Sequence, residues 1–247
     1  MNWFTRIVDG LWGLFAWLCF GLAVLFTVLV AIVVPGAERR QKLVTWAARM
    51  VFVISGCKVK VSGLDNLPTS NCVVVANHAS YIDGPLLKGY LPWRFSFVIK
   101  GELRNFPPAH FVLHRAGAKF VERSDIKGST RDARQLVKAA LRGESLGFFP
   151  EGTFIGKPGV GRFRPGAFVA ARRSDMPVVP IAIHGSRYVL PQGAWLPRRG
   201  PLTIEILAAI GPGDSAYADS RKLAEAARQR ILARLDEPDL LADDSPD

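Results

Sequence analysis

Cysteine is scarce in this chain: three residues among 247, at Cys19, Cys57 and Cys72, with no CxxC pair. An odd number of widely separated cysteines does not indicate a disulfide framework, and no zinc-ligand spacing is present. The sequence also lacks an internal repeat and any helix-turn-helix, zinc-finger or aromatic RNA-binding signature. These absences fit a reducing compartment and argue against a nucleic-acid partner.

Charge is absent from residues 11–34, an uninterrupted apolar run near the N-terminus. A helix that crosses a bilayer needs about 20 such residues, whereas a signal peptide has a shorter apolar core followed by a cleavage site. This run ends instead in the basic segment PGAERRQK. We therefore predict a retained membrane span over about 11–34; a buried core helix is the alternative.

The next segment, about 37–54, mixes four basic residues with large apolar ones. This pattern favours a helix in the membrane interface with its basic side toward lipid headgroups, since Arg49 would be costly at mid-bilayer in a second span. Residues 1–56 are thus expected to form a membrane anchor. The basic residues after the span predict that the rest of the chain faces the cytoplasm, and the membrane that we expect is a bacterial inner membrane.

The net charge of +11 is concentrated in residues 57–235, because residues 236–247 carry six acidic groups and no basic one. A basic body tethered to a membrane indicates anionic partners such as lipid headgroups or phosphorylated substrates. The acidic segment 236–247 is expected to be a disordered tail.

Residues 57–235 have the pattern of one α/β domain. Short β-branched or aromatic runs predict strands, and amphipathic stretches between them predict helices, so we expect a helix-covered parallel or mixed sheet. The predicted strands are CKVKVSG, CVVVA, FSFVI, KFVE, LGFFP, VVPIAIH and TIEILA, and the clearest helices are 129–143, 164–175 and 219–235.

The segment NHASYID (77–83) directly follows the apolar run CVVVA. Chemistry in α/β proteins lies outside the carboxyl ends of strands, which is where this segment falls. His78 and Asp83 would point 140° apart on one regular helix, so they can meet only if the residues between them form a turn. Asp83 could alternatively cap the helix that Pro85 marks.

Three further segments contain a predicted strand or its end. FFPEGTF (148–154) places Glu151 and Gly152 after a strand, GAKFVER (117–123) ends in a charge, and VPIAIHG (179–185) has Pro180 inside a strand. A proline there requires an edge, a bulge or a position without a ladder partner.

These four blocks, in this order, resemble the glycerolipid acyltransferase family that contains the 1-acylglycerol-3-phosphate acyltransferases. The family signature is N-H-x4-D, G-x-x-F-[IV]-x-R, F-P-E-G-T and [VI]-[VI]-P-[VI], which corresponds here to Asn77–Asp83, Gly117–Arg123, Phe149–Thr153 and Val178–Ile181. The resemblance covers roughly residues 70–210. It implies a glycerol-3-phosphate acyltransferase-like fold behind N-terminal membrane helices.

The resemblance also implies an activity: transfer of a fatty acyl chain from acyl-CoA or acyl carrier protein to the sn-2 hydroxyl of 1-acylglycerol-3-phosphate, giving phosphatidic acid, without a metal or other cofactor. His78 would be the general base and Asp83 would hold its ring. The substrate-binding residues that we expect are Asn77, Lys100, Arg123, Glu151, Gly152, Thr153 and Arg164.

One departure from the family concerns the acceptor. Many members carry Arg after F-P-E-G-T, but here this residue is Phe154. Lys157, Arg162 or Arg164 would have to replace that cation, or the acceptor is another lysolipid such as lyso-ornithine lipid. A non-catalytic lipid-binding protein is a third alternative, against which the intact His78 and Asp83 argue.

Two other features compete for the catalytic role. His184 also lies at a predicted strand end, but no acidic residue follows it at short range. GESLG (143–147) matches the G-x-S-x-G nucleophile elbow, yet a helix precedes Ser145 and a strand follows it, the reverse of the order that an elbow needs.

Overall fold

The structure is a computed structural model that describes residues 3–121, 126–153 and 156–242. Within these ranges the helices are α1 (Trp3–Val33), α2 (Ala37–Ile54), α3 (Asp83–Tyr90), α4 (Pro107–Arg115), α5 (Ile126–Leu141), α6 (Gly166–Arg173), α7 (Ser186–Val189) and α8 (Ser220–Leu232). The strands are β1 (Val59–Ser62), β2 (Val73–Ala76), β3 (Ser96–Lys100), β4 (Lys119–Val121), β5 (Leu146–Phe148), β6 (Val178–His184) and β7 (Leu202–Ile206).

The strands form one sheet in the order β1-β7-β6-β2-β5-β3-β4. Neighbouring strands are parallel except β6 and β7, which are antiparallel. The predicted mixed sheet is therefore confirmed, with each of the seven predicted strands in place. The order puts β2 at the centre between β5 and β6, so the segments that follow these strands share one edge.

The central strand β2 is buried on both faces. Val73 and Val75 pack into an apolar core with α5, α6 and α8, whereas Val74 and Ala76 pack into a second core with α3 and the end of α2. Alternate side chains of a strand point to opposite faces, so the continuous run CVVVA needs apolar cover on both. This packing makes the end of β2 a rigid base for the residues that follow it.

Pro180 lies in β6, an interior strand, rather than at a sheet edge. Ile181 pairs with Ile206, but Val178 pairs with Ile210, which is one residue out of that register. The proline thus lies where a bulge interrupts the β6–β7 ladder, one of the placements that its missing N–H allows.

Helix α1 has 31 residues, and its segment Ile7–Val33 is the one in the described chain that is long and apolar enough to cross a membrane. It presents an exposed apolar stripe that includes Leu11, Leu18 and Leu25. The helix also contacts the body: the indole N–H of Trp12 donates to Ser55 O at 2.7 Å.

Helix α2 has the predicted bounds, but its basic residues do not all face outward. Arg40 Nε donates to Arg115 O at 3.1 Å, and Arg49 Nε donates to Gly89 O at 3.0 Å. A Cβ on Gly89 would lie 2.7 Å from Arg49 N, so α2 and α3 pack closely at this glycine. These two arginines thus bind backbone carbonyls of α4 and α3, contacts that the basic pattern did not reveal, and the location of α2 in the membrane interface stays a prediction.

The expectation of a disordered tail over 236–247 is wrong for its first half. Val160 forms a parallel bridge with Asp239, and Arg228 binds the Asp239 carboxylate. Acidic composition suggested disorder, but a buried arginine and the backbone of Val160 give this segment specific partners. Residues 243–247 lie outside the described residues.

Candidate active site

The turn after β2 brings His78 and Asp83 together. His78 Nδ1 lies 2.9 Å from Asp83 Oδ2; the Asp83 side chain is fully buried and that of His78 is 19% exposed. With Nδ1–H donated to the carboxylate, the lone pair of the neutral ring is on Nε2, the nitrogen that can accept a proton from a substrate. The predicted pairing across a turn is therefore observed.

Asp83 also fixes the turn itself. Its Oδ2 accepts the backbone N–H groups of Ala79 at 2.7 Å and Ser80 at 2.8 Å. The Ser80 hydroxyl donates to Leu190 O at 2.6 Å, which ties the turn to the residue after α7. Asp83 is the first residue of α3, the cap position is Ile82, and no side chain caps this helix end. The alternative role of Asp83 as a helix cap is thus not the one observed.

Glu151 holds the turn from the adjacent strand. Its Oε1 accepts the backbone N–H of His78 at 2.9 Å, and its Oε2 accepts that of Gly161 at 3.0 Å. Burial raises the pKa of the Glu151 carboxyl, and the two backbone hydrogen bonds oppose that rise. Sequence reasoning placed Glu151 in the site but could not foresee that both oxygens bind backbone.

Phe149, two residues before Glu151, packs against the His78 ring. Phe149 stacks on His78 with ring centroids 4.2 Å apart and an interplanar angle of 21°. Sequence reasoning treated Phe149 only as part of a motif. A ring stacked on one face restricts the imidazole to its orientation toward Asp83.

Gly152 and Arg164 lie together beside Glu151. Gly152 has a φ of +86°, and a Cβ there would lie 2.8 Å from Arg164 Nε. Arg164 N donates to Pro150 O at 2.9 Å, and its side chain is exposed at the site. The structure therefore places a guanidinium next to the Pro-Glu-Gly turn, and the positive φ at position 152 is one that favours glycine.

The other predicted binding residues have varied surroundings. The Asn77 amide is buried and exchanges hydrogen bonds with the backbone of Ile183, Nδ2 to O at 3.0 Å and N to Oδ1 at 2.8 Å. Lys100 is exposed and pairs with Glu102 at 2.6 Å. Thr153 is exposed. Arg123 lies outside the described residues, as does Phe154.

The rival candidates occupy different places. His184 Nε2 lies 3.7 Å from Glu205 Oε2 on the neighbouring strand β7. No acidic residue follows His184 closely along the chain, but Glu205 lies close to it across the sheet, a neighbour that the sequence did not reveal. Ser145 is buried at the start of β5, the edge opposite His78, and its hydroxyl donates to Asn71 Oδ1 at 3.3 Å.

Two apolar cavities adjoin α3 on the side of the N-terminal helices. One, about 90 Å³, is lined by Trp12, Phe20, Tyr81, Ile82 and Pro85 among others. The second, about 250 Å³, is lined by residues of α1, α2, α3 and α4 and by Phe97 and Ile99. Tyr81 and Ile82, in the turn that carries His78, line the first cavity, and Gly84, directly after Asp83, lines the second.

Other chemistries find less support among the described residues. No cluster of three or more His, Cys, Asp or Glu side chains could hold a metal ion within 3–121, 126–153 and 156–242. Burial raises the pKa of the Cys72 thiol to about 11, so this cysteine is not a thiolate nucleophile at neutral pH. The arrangement of His78 and Asp83 is suited to removing a proton from a hydroxyl.

Comparison with known proteins identifies the family. Residues 58–184, just over half of the chain, match the family model of the acyltransferases, and the chain belongs to this family. Its fold is that of 1-acyl-sn-glycerophosphate acyltransferase PlsC from Thermotoga maritima, with a TM-score of 0.76 over 93% of this chain and 95% of that chain, at 23% identity.

Among its relatives, the 1-acyl-sn-glycerol-3-phosphate acyltransferase of Pseudomonas aeruginosa is 29% identical over 79% of this chain and 77% of the relative. The chloroplastic enzyme of the same name from Brassica napus is 30% identical over 60% of this chain, so the match spans 43% of the relative's length. A lyso-ornithine lipid O-acyltransferase of Pseudomonas aeruginosa is 32% identical over 64% of this chain and 60% of the relative.

Proposed function

We propose that this protein transfers a fatty acyl chain from an acyl thioester to the sn-2 hydroxyl of 1-acylglycerol-3-phosphate, giving phosphatidic acid. The observation that carries the proposal is the buried Asp83 carboxylate 2.9 Å from His78 Nδ1, which sets the ring as a base. Relatives named for this activity in a bacterium and a plant support the choice of acceptor.

In the proposed reaction, His78 Nε2 takes the proton of the acceptor hydroxyl as its oxygen attacks the thioester carbonyl. A new C–O bond forms, the C–S bond breaks, and the leaving thiolate receives the proton from the imidazolium. Asp83 stabilises that imidazolium without itself being protonated. The acceptor provides the nucleophile, so no acyl-enzyme is required.

The acceptor's phosphate needs cations, and arginine binds phosphate through paired hydrogen bonds. Arg164 is the described cation nearest to the Pro-Glu-Gly turn, since its guanidinium lies over Gly152. We assign Arg164 to the headgroup, with Lys100, Arg123 and Thr153 as further predicted contacts. Asn77 and Glu151 act here by positioning the His78 turn, because their polar atoms bind backbone groups.

The acyl chains would lie in the apolar cavities between the N-terminal helices and α3. Their linings are almost entirely apolar; Tyr81 and Ile82 of the His78 turn line the smaller one, and the first residues of α3 line the larger one. The N-terminal helix supplies membrane association, and basic residues after it favour a cytoplasmic body. Acyl-CoA and acyl carrier protein are both candidate donors.

A second acceptor, a lysolipid such as lyso-ornithine lipid, is favoured by one observation. Phe154 stands where many family members have the arginine that follows F-P-E-G-T. The similarity to a lyso-ornithine lipid O-acyltransferase also supports this alternative.

The test is product detection by mass spectrometry. Purified protein in detergent receives acyl-CoA or acyl carrier protein with lysophosphatidic acid, lyso-ornithine lipid or no acceptor. The proposal expects phosphatidic acid from the wild type, about 10²–10⁴-fold slower formation by His78→Ala and normal product from the matched variant Ser145→Ala. Product from lyso-ornithine lipid alone would transfer the assignment to the second acceptor. Free fatty acid without an acceptor would identify a thioesterase.

A further inference from the structure

The C-terminal strap, residues 237–241, lies against the loop that follows the Pro-Glu-Gly turn. Val160 N–H donates to Pro238 O at 3.1 Å, Leu240 N–H donates to Val160 O at 3.3 Å, and Gly159 N–H donates to Glu237 Oε2 at 2.8 Å. A Cβ on Gly159 would lie 2.5 Å from Leu240, so strap and loop are in close contact. Val160 itself is fully buried and belongs to the apolar core that includes residues of α5, α6 and α8.

Two ion pairs hold the strap. Arg228 of α8 is 2% exposed and binds Asp239 through both guanidinium nitrogens, Nη1 to Oδ1 and Nη2 to Oδ2, each at 2.8 Å. Arg187 of α7 binds Glu237 in the same paired way at 3.0 Å. The hydrogen bonds from Arg228 lower the pKa of Asp239 to about 2, so this pair persists across the physiological pH range.

The strapped loop leads directly to the catalytic turn. Gly161, the residue after Val160, donates its N–H to Glu151 Oε2 at 3.0 Å. The other oxygen of Glu151 accepts the N–H of His78 at 2.9 Å. The loop segment at 159–161 and the Glu151 side chain therefore connect the strap to the backbone of the histidine.

We propose that the C-terminal strap positions the catalytic histidine: Arg228 and Asp239 fix the loop at 159–161, and this loop fixes His78 through Glu151. The strap residues do not touch the reacting atoms. They act as positioning residues, and the inference rests on the proposed acyl transfer by His78.

The first test is Asp239→Asn, which keeps the shape of the side chain but replaces one acceptor oxygen by an amide that cannot accept from Arg228. Because small displacements of a catalytic group are costly, kcat should fall by about three- to tenfold, no more than the loss expected for Glu151→Gln, through which the strap acts. KM for the acyl donor should stay within a factor of about two, since the strap residues contact no proposed donor site. Glu237→Gln gives the same test at the second, less buried pair if Asp239→Asn does not fold.

The matched control is Glu225→Gln. Glu225 also binds Arg228, with Nε at 3.1 Å, but it is 51% exposed and does not contact the strap. Its variant should retain wild-type kcat. An equal loss of kcat in Glu225→Gln would overturn the proposal, as would Asp239→Asn and Glu237→Gln variants that melt earlier but keep full kcat well below their melting temperatures.

A double-mutant cycle tests the route through Glu151. If the strap acts through this residue, adding Asp239→Asn to Glu151→Gln should lower kcat little further. Losses that multiply would show that the strap acts independently of Glu151 and would contradict the proposal.

Hydrogen–deuterium exchange tests the positioning role of the strap separately from the proposed acyl-transfer activity. In Asp239→Asn, peptides that cover 77–83 and 156–161 should exchange faster than in wild type, with no such change in Glu225→Gln. Unchanged exchange at 77–83 would overturn the proposed role of the strap, even if the enzyme is active. Faster exchange supports the strap even if the wild type acts on a different acceptor.

Discussion

Two histidines stand at the carboxyl ends of neighbouring strands, His78 just after β2 and His184 at the end of β6, and each has a carboxylate nearby. The His78–Asp83 distance is 2.9 Å, within hydrogen-bond range, whereas the His184–Glu205 distance is 3.7 Å. Asp83 is fully buried and receives two backbone N–H groups, while Glu205 also binds Arg234. Proximity of His to an acid is common; the buried carboxylate of Asp83 is what distinguishes His78 and supports its proposed role as the base.

The largest effect is expected at the carboxylate of Asp83. Asp83→Asn keeps an oxygen for the N–H groups of Ala79 and Ser80, so the turn should persist, but it removes the charge that stabilises the imidazolium. We expect kcat to fall by about 100-fold or more. Steady-state kinetics with circular dichroism checks this, and wild-type kcat in a folded variant would be incompatible with the role given to Asp83.

The second expected effect is at Glu151. Glutamine can accept from only one of the two N–H groups that Glu151 now holds, so His78 or Gly161 loses its partner. We expect Glu151→Gln to lower kcat about tenfold. Glu144→Gln, at the opposite edge of the sheet and paired with Lys119, is the control; equal losses in both variants would remove the site-specific explanation.

A third effect is expected at Lys88, a lysine that lines an apolar cavity. Lys88 faces the larger apolar cavity, where it is the one charged residue among the described residues that line it, and its Nζ donates to Phe95 O at 3.4 Å. Burial lowers the pKa of Lys88 to about 8. Between this value and the unfolded pKa of 10.5, the unfolded chain binds more protons, so the stability contribution of Lys88 rises with pH and is least favourable below pH 8.

Lys88→Met should therefore stabilise the protein at pH 7, by about 1–3 kcal/mol, and raise Tm by about 2–4 °C per kcal/mol. The gain should shrink by pH 10. Thermal unfolding at both pH values measures this, with the exposed Lys60→Met as control. A gain that is equal at pH 7 and pH 10 would contradict the cost assigned to the buried charge.

The smallest effect is expected at the second histidine. His184→Ala removes a partly exposed side chain whose acidic neighbour keeps Arg234 as its main partner. We expect kcat within a factor of about two and a stability change of about 0.5 kcal/mol or less. A loss comparable with that of Asp83→Asn would remove the distinction between the two histidines.

Most of the fold was predictable from local pattern. The β-branched runs at 72–76 and 178–184 and the amphipathic helix at the C-terminus needed no long-range information, and the structure confirms them. The order of strands, and hence the convergence of β2, β5 and β6, could not be deduced from periodicity. It depends on which faces bury each other, which involves residues distant in sequence.

The candidate site likewise has features that were predictable from local sequence and features that were not. The pairing of His78 with Asp83 was predictable because both residues lie in one turn. The double hydrogen bond of Glu151, the Glu205 partner of His184 and the contacts of the acidic tail were not, since each joins segments far apart in the chain. The tail shows the difference most clearly: composition predicted disorder, but Arg228 and the backbone of Val160 give Asp239 and its neighbours specific partners.

The most direct test of the central claim is acyl transfer by His78→Ala, measured by mass spectrometry beside wild type and His184→Ala at equal folded concentration. The account predicts that His78→Ala loses about 10²–10⁴ in kcat with unchanged circular dichroism, while His184→Ala remains active. A folded His78→Ala with wild-type turnover, or loss of activity in His184→Ala alone, would contradict it.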